Sequence, residues 1–142
     1  MAVCEEICKQ EQVVLKDKIV AVVGLGTLVG KPIAVWLMKK AKAVYALDQG
    51  SDINILHHAD IVITGVGKAG LITADMVKSG TTVIDFGYSF DEDGKICGDF
   101  IDNAIHEKGA YTPTPGGTGP ILVAKLMENY FQLSKIAERN RE

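Results

Sequence analysis

Apolar and β-branched residues follow two rhythms along this chain: unbroken runs of three to five, and longer stretches in which apolar residues return every third or fourth position. The unbroken runs are Ile19 to Val23, Ala43 to Leu47, Ile61 to Thr64 and Thr82 to Asp85, each closed by glycine or aspartate. Short β-branched runs with such ends predict strands buried on both faces. The helical rhythm predicts a helix over about Val3 to Gln10. A second covers Pro32 to Lys40, with Ile33, Trp36 and Leu37 turned inward, and a long one covers Ile121 to about Glu138. Shorter helical pieces are expected at Ile53 to His58, around Asp75 and Met76, and over residues 101 to 108. Asp91-Glu92-Asp93-Gly94 predicts the turn of a hairpin between Tyr88-Ser89-Phe90 and Lys95-Ile96-Cys97. Tyr111-Thr112 makes a last short strand, and Pro113 to Pro120 a proline- and glycine-rich loop. Strands alternating with helices predict an α/β fold: a doubly wound, mostly parallel sheet with helices on both faces.

In such sheets ligands sit at the carboxyl ends of the strands. Gly24, Asp48, Gly65, Asp85 and Gly87 all fall at those ends. The first strand runs into Gly24, Gly26 and Gly30 and then into a helix. Unpaired N–H groups and the helix dipole suit that turn to a phosphate, and glycine lets a pyrophosphate come close. Asp48, closing the second strand, is placed to hydrogen-bond the ribose hydroxyls of NAD. The glycine spacing is one residue longer than the usual dinucleotide fingerprint, so a tight turn without ligand stays open as the alternative. A P-loop fails twice: five residues separate Gly24 from Gly30, and Pro32 stands where Ser or Thr must hold magnesium.

With 142 residues the chain is one domain, and 47 % hydrophobic with 23 % charged residues is a globular composition. A net charge of −3 without a basic patch argues against nucleic acid. No apolar run is long enough for a membrane span, and the N-terminus lacks a signal-peptide layout. Three cysteines without metal or C-x-x-C spacing suit reduced thiols and a cytoplasmic setting, a mitochondrial origin remaining open. His57 and His58 have no partner in register for a metal. Trp36 and the apolar stripe of the last helix are most simply core, whereas any exposed part of that stripe marks a partner surface.

Five stretches carry a family resemblance. They are Val29-Gly-Lys-Pro32, Val66-Gly-Lys68, Thr73-Ala-Asp-Met-Val-Lys78, Val83-Ile-Asp-Phe-Gly87 and Thr112-Pro-Thr-Pro-Gly-Gly-Thr-Gly-Pro120. Together, over roughly residues 2 to 133, they resemble the cofactor domain of bifunctional methylenetetrahydrofolate dehydrogenase/methenyltetrahydrofolate cyclohydrolase. The resemblance implies a Rossmann-like NAD(P)-binding domain over residues 1 to 142, joined to an N-terminal folate-binding domain across an active cleft. A tetrahydrofolate derivative would be reached through that domain or through a separate chain. Its methylene group would give a hydride to the nicotinamide, and the methenyl product would then be hydrolysed. By position, Gly24, Leu25, Gly26, Leu28 and Val29 would surround the pyrophosphate and adenosine. Gly65, Val66 and Gly67 would line the ribose and nicotinamide side, with Phe86, Gly87 and Tyr88 edging the nicotinamide. Gly116, Gly117 and Gly119 would face the folate cleft. The helix over 121 to 138 would pack toward the folate domain, and the hairpin would form a homodimer edge.

Three departures qualify the resemblance. The family's catalytic Tyr-x-x-x-Lys pair lies in the N-terminal domain, and none of Tyr45, Tyr88, Tyr111 and Tyr130 has a lysine four places on. No catalytic residue is therefore assigned here, and the chain alone is expected to bind cofactor without turning over folate. The usual Gly-Arg-Ser first turn is Gly24-Leu25-Gly26, and Asp48 would repel a 2′-phosphate; both favour NAD over NADP. Leu122 stands where the family often carries Thr. A stand-alone dinucleotide-binding or sensing module is the alternative function. Asp85 has two readings: a ligand contact, or a satisfier of backbone donors at a strand end.

Overall fold

A computed structural model of the chain describes residues 1–101 and 109–139. Its centre is a five-stranded, all-parallel sheet in the order β2-β1-β3-β5-β9. These strands are β1 (Ile19–Val23), β2 (Ala43–Leu47), β3 (Ile61–Thr64), β5 (Thr82–Asp85) and β9 (Ala110–Tyr111). The first four have the limits expected from the apolar runs. The last begins one residue earlier than expected and leaves Thr112 outside.

Alternation along the strands splits the core into two layers. Val20 and Val22 point to the side covered by α1 (Ala2–Gln10) and α2 (Gly30–Leu37), where they meet Cys4, Ile7, Ile33 and Leu37. Ala21 and Val23 point the other way, toward Leu56, Ile72, Val77 and Phe100. On that second side the described cover is two 3-10 turns, Ile53–His58 and Ala74–Met76, and the pair β4 (Ile72–Thr73) with β8 (Phe100–Ile101). Only 13 residues join β2 to β3, which leaves room for a 3-10 segment and little more. The hairpin appears as β6 (Ser89–Phe90) against β7 (Ile96–Cys97), closed by Asp91, whose carboxylate accepts from the Asp93 and Lys95 amides. Of the helix expected over 101 to 108, Ile101 is strand, and the remainder lies outside the described residues.

Helix limits move in two places. α2 starts at Gly30 and ends at Leu37 rather than running from Pro32 to Lys40. The Lys40 and Ala41 amides both donate to the Leu37 carbonyl, which closes the helix. α3 spans Thr118–Arg139, so the last residues of the Pro/Gly loop already belong to it.

Of the two features expected to be core, Trp36 packs against the α1/α2 layer only in part, and the α3 stripe faces outward. Trp36 is only half-buried; its Nε1 donates to Glu5 and the Lys40 ammonium sits 4.9 Å from its ring. The apolar stripe of α3 is not core. Leu122, Val123, Leu126, Met127, Tyr130, Phe131, Leu133 and Ile136 are all exposed, by 45 to 66 %. At 3.6 residues per turn they cover an arc of roughly 220°. The helix spends its other side on the domain: Ile121 joins the core, and Lys125 pairs with Glu6 of α1 at 3.0 Å and with Glu128 at 3.1 Å.

Candidate functional site

The chain passes from β1 to β2 on one side of the sheet and then returns to place β3 on the other side of β1. Such a reversal leaves a crevice beyond the carboxyl ends of the strands. A cleft of about 440 Å³ lies there, lined by Val23, Gly24, Asp48, Gln49, Gly50, Ser51, Ile53, Val66, Lys68 and Leu71. Gly24 has φ +84°, and a Cβ on it would come within 2.7 Å of Val66 Cγ2. Only glycine leaves this corner open. Asp48 is exposed at the rim. Its Oδ1 accepts from the Gln49 amide, and its own amide donates to Ser51 Oγ. Among the described residues, the amides of Gly26, Thr27 and Leu28 find no acceptor, which leaves donors free on the turn before α2.

A second cleft, of about 450 Å³, is lined by Val29, Phe86, Gly87, Tyr88, Ile96, residues 113 to 120 and Leu122. Gly65 separates the two. A Cβ there would meet Val29 Cγ1 at 2.9 Å and Phe86 Cβ at 3.6 Å, so both side chains rest on its bare backbone.

The expected site residues therefore fall into three groups. Gly24, Asp48 and Val66 share the first cleft. Val29, Phe86, Gly87, Tyr88, Gly116, Gly117 and Gly119 share the second. Leu25, Gly26, Leu28, Gly65 and Gly67 line neither. Leu25 packs on the α1/α2 side of the core, Leu28 is 91 % exposed, and Gly67 takes φ +75° between Val66 and Lys68. Lys31 sits apart, in a recess on the outer side of α2 with Met1, Thr27, Pro32, Val35 and Trp36.

Two buried aspartates hold these loops. Asp99, which sequence reasoning missed, is fully buried. Its Oδ2 accepts from Thr64 Oγ1 at 2.7 Å and the Val66 amide at 2.6 Å, and its Oδ1 from the Lys68 amide at 2.8 Å. Asp85 accepts from the Gly87 and Phe100 amides at 2.6 and 2.9 Å. Its own amide donates to Thr112 Oγ1, and its carbonyl accepts from Thr118 Oγ1 at the start of α3. Of its two readings, the structural one holds. The glycines beside them were the available signal: a Cβ on Gly87 would collide with the Asp99 carboxylate, and one on Gly98 with that of Asp85.

Burial pushes the Asp85 carboxyl from its ordinary 3.8 up to about 6; the Phe100 and Gly87 amides oppose this and the charge of Asp99 adds to it. Between about pH 4 and 6 the folded protein thus holds a proton that the unfolded chain has lost. Stability from this group is greatest below about pH 4 and falls as pH rises through about 6, by about 3 kcal/mol in all. Urea denaturation at pH 4.5 and 7 should show this slope in the wild type. Asp85→Asn, although less stable throughout, should lose it; equal slopes in both proteins would assign it to other groups.

Comparison with known proteins matches this arrangement. Residues 1–138 fit the family model described as tetrahydrofolate dehydrogenase/cyclohydrolase, NAD(P)-binding domain. The chain is 43 % identical over 135 residues to the bifunctional protein FolD of Nautilia profundicola, covering 92 % of this chain and 47 % of that one. It is 39 % identical over 134 residues to that of Methanoculleus marisnigri, with the same coverage. The crystal structure of the bifunctional FolD enzyme from Campylobacter jejuni superposes with a TM-score of 0.88 at 32 % identity, over 95 % of this chain and 49 % of that one. The Trypanosoma brucei FolD structure, complexed with NADP cofactor and inhibitor, gives 0.87 at 29 % identity over 96 % and 50 %. The chain spans about half the length of the curated relatives it matches. From its glycine turn to its closing helix, this chain belongs to the NAD(P)-binding domain family of tetrahydrofolate dehydrogenase/cyclohydrolase.

Proposed function

We propose that the first cleft takes the adenosine half of a nicotinamide dinucleotide, that the second takes the nicotinamide end, and that NAD is preferred to NADP. The observation that carries this reading is Asp48, exposed on the rim of the same cleft as Gly24 at the reversal of strand order. A carboxylate there accepts hydrogen bonds from two ribose hydroxyls and repels a 2′-phosphate. The bare Gly24 corner and the free amides after it suit a pyrophosphate. The bound nicotinamide would supply a hydride acceptor. Phe86, Tyr88 and the 113–120 loop would bound its pocket and exclude water, while Gly116, Gly117 and Gly119 would face the substrate.

The substrate reading follows the family. The dinucleotide would take a hydride from 5,10-methylenetetrahydrofolate, held by a folate-binding domain in the same polypeptide or in another. The exposed apolar arc of α3 supports such a cover, being larger than soluble domains leave bare. No tyrosine in this sequence has a lysine four places on, so the proton-handling pair would also come from that domain. Exposed Tyr88, Phe90 and Ile96 on the hairpin support a homodimer edge.

Titration with NADH and NADPH, followed by nicotinamide fluorescence, tests the cofactor reading. NADH is expected to bind at least about tenfold more tightly, a difference of about 1.4 kcal/mol, and Asp48→Asn is expected to narrow the gap. Equal or NADPH-preferring binding would overturn the role of Asp48. Binding of neither would overturn the cofactor reading for this chain.

A further inference from the structure

The inference rests on the dinucleotide reading and concerns how the cleft meets the ligand's charge. A dinucleotide brings two negative charges on its pyrophosphate, and a third group if the ribose is phosphorylated. The cleft offers little to balance them. Its turn carries apolar Leu25, its rim carries the acidic Asp48, and Lys31 opens into the separate recess beside Trp36. Among the residues lining the cleft, Lys68 is the one cation.

Lys68 is also held in place. Gly67, at φ +75°, turns the chain between Val66 and Lys68. The amides on both sides of that turn donate to one buried carboxylate, Asp99, at 2.6 and 2.8 Å. The backbone of Lys68 is therefore fixed while its side chain is exposed, and no carboxylate among the described residues pairs with its ammonium. A lysine serving only solubility needs no such anchoring; one reading a ligand gains from it, because less freedom is lost on binding.

We propose that Lys68 is the phosphate-reading residue of this cleft, its ammonium pairing with a phosphate of the bound dinucleotide, and that Asp99 is the positioning residue that sets it there. Two phosphates could be the partner, the pyrophosphate or a ribose 2′-phosphate, and the test separates them. NADH and NADPH are titrated calorimetrically into the wild type, Lys68→Gln and Lys68→Arg, each at low and high salt. Lys68→Gln keeps the backbone amide that Asp99 holds, so its thermal midpoint should match the wild type. It should bind about 5- to 30-fold more weakly at low ionic strength, and the gap should shrink as salt screens the charge. Lys68→Arg should stay within about threefold of the wild type, because the charge is retained. An equal loss for both ligands assigns Lys68 to the pyrophosphate, and a loss confined to NADPH assigns it to the 2′-phosphate. Wild-type binding with Lys68→Gln unchanged toward both would overturn the Lys68 assignment alone. A wild type that binds neither would overturn the dinucleotide reading beneath it.

Discussion

Gly30→Ala is expected to cost at least about 3 kcal/mol and to abolish dinucleotide binding. The cause is a close approach between two backbones. A Cβ at position 30 would fall on the Gly24 carbonyl oxygen and lie 3.1 Å from Leu25 Cα. Neither neighbour is a flexible side chain that can swing aside. The turn would have to open, pulling α2 off β1 and displacing the amides of residues 26 to 28. Gly26→Ala is the matching control, because nothing lies within 4 Å of a Cβ there and its φ is not in the left-handed region. It should cost less than about 1 kcal/mol. Equilibrium urea denaturation of both variants measures the difference. Similar costs at 26 and 30 would mean that the turn relaxes where it is drawn tight.

Asp99→Asn should be nearly as damaging, for an electrostatic reason. The buried carboxylate takes three hydrogen bonds from donors that find no other acceptor among the described residues: the Thr64 hydroxyl and the Val66 and Lys68 amides. Asparagine keeps one acceptor oxygen and turns an NH₂ group toward donors. At least one buried donor is then left unpaired, and the expected loss is about 3 to 5 kcal/mol. Thr64→Val removes a single bond and should cost about 1 to 2 kcal/mol. Hydrogen exchange locates the effect. The Val66 and Lys68 amides should lose protection in Asp99→Asn well before those of β1. Uniform loss of protection would show general destabilisation instead of a freed loop.

The parts of the fold that were legible in the sequence share one property: their signal is carried by several consecutive residues. β1, β3 and β5 are buried on both faces, so each prints a run of apolar and β-branched residues with glycine or aspartate at its end; β2, the edge strand, keeps such a run although Ala46 is exposed. β4 and β8 are two residues each and join positions 72–73 to 100–101, which leaves no period to detect. The first cleft was legible through Gly24 and Asp48, since turn chemistry and strand-end charge are local. Asp99 was not, because its meaning lies in contacts with residues 31 to 35 positions away. α3 misled because an apolar stripe looks the same whether it faces its own core or another surface.

The position of α1 gives the protein an internal clock. Cys4 and Cys8 lie on the face of α1 that closes the α1/α2 layer, and Cys4 is fully buried there. Burial pushes its thiol up to about 12, so that little reactive thiolate forms while the helix is docked. Cys97, on the hairpin, stays partly exposed. A thiol reagent therefore meets one cysteine immediately and the other two only when α1 lifts from the sheet. The rate of that second modification reports how often the α1–α3 clasp opens, and a surface seated on α3 would slow it without touching a sulfur.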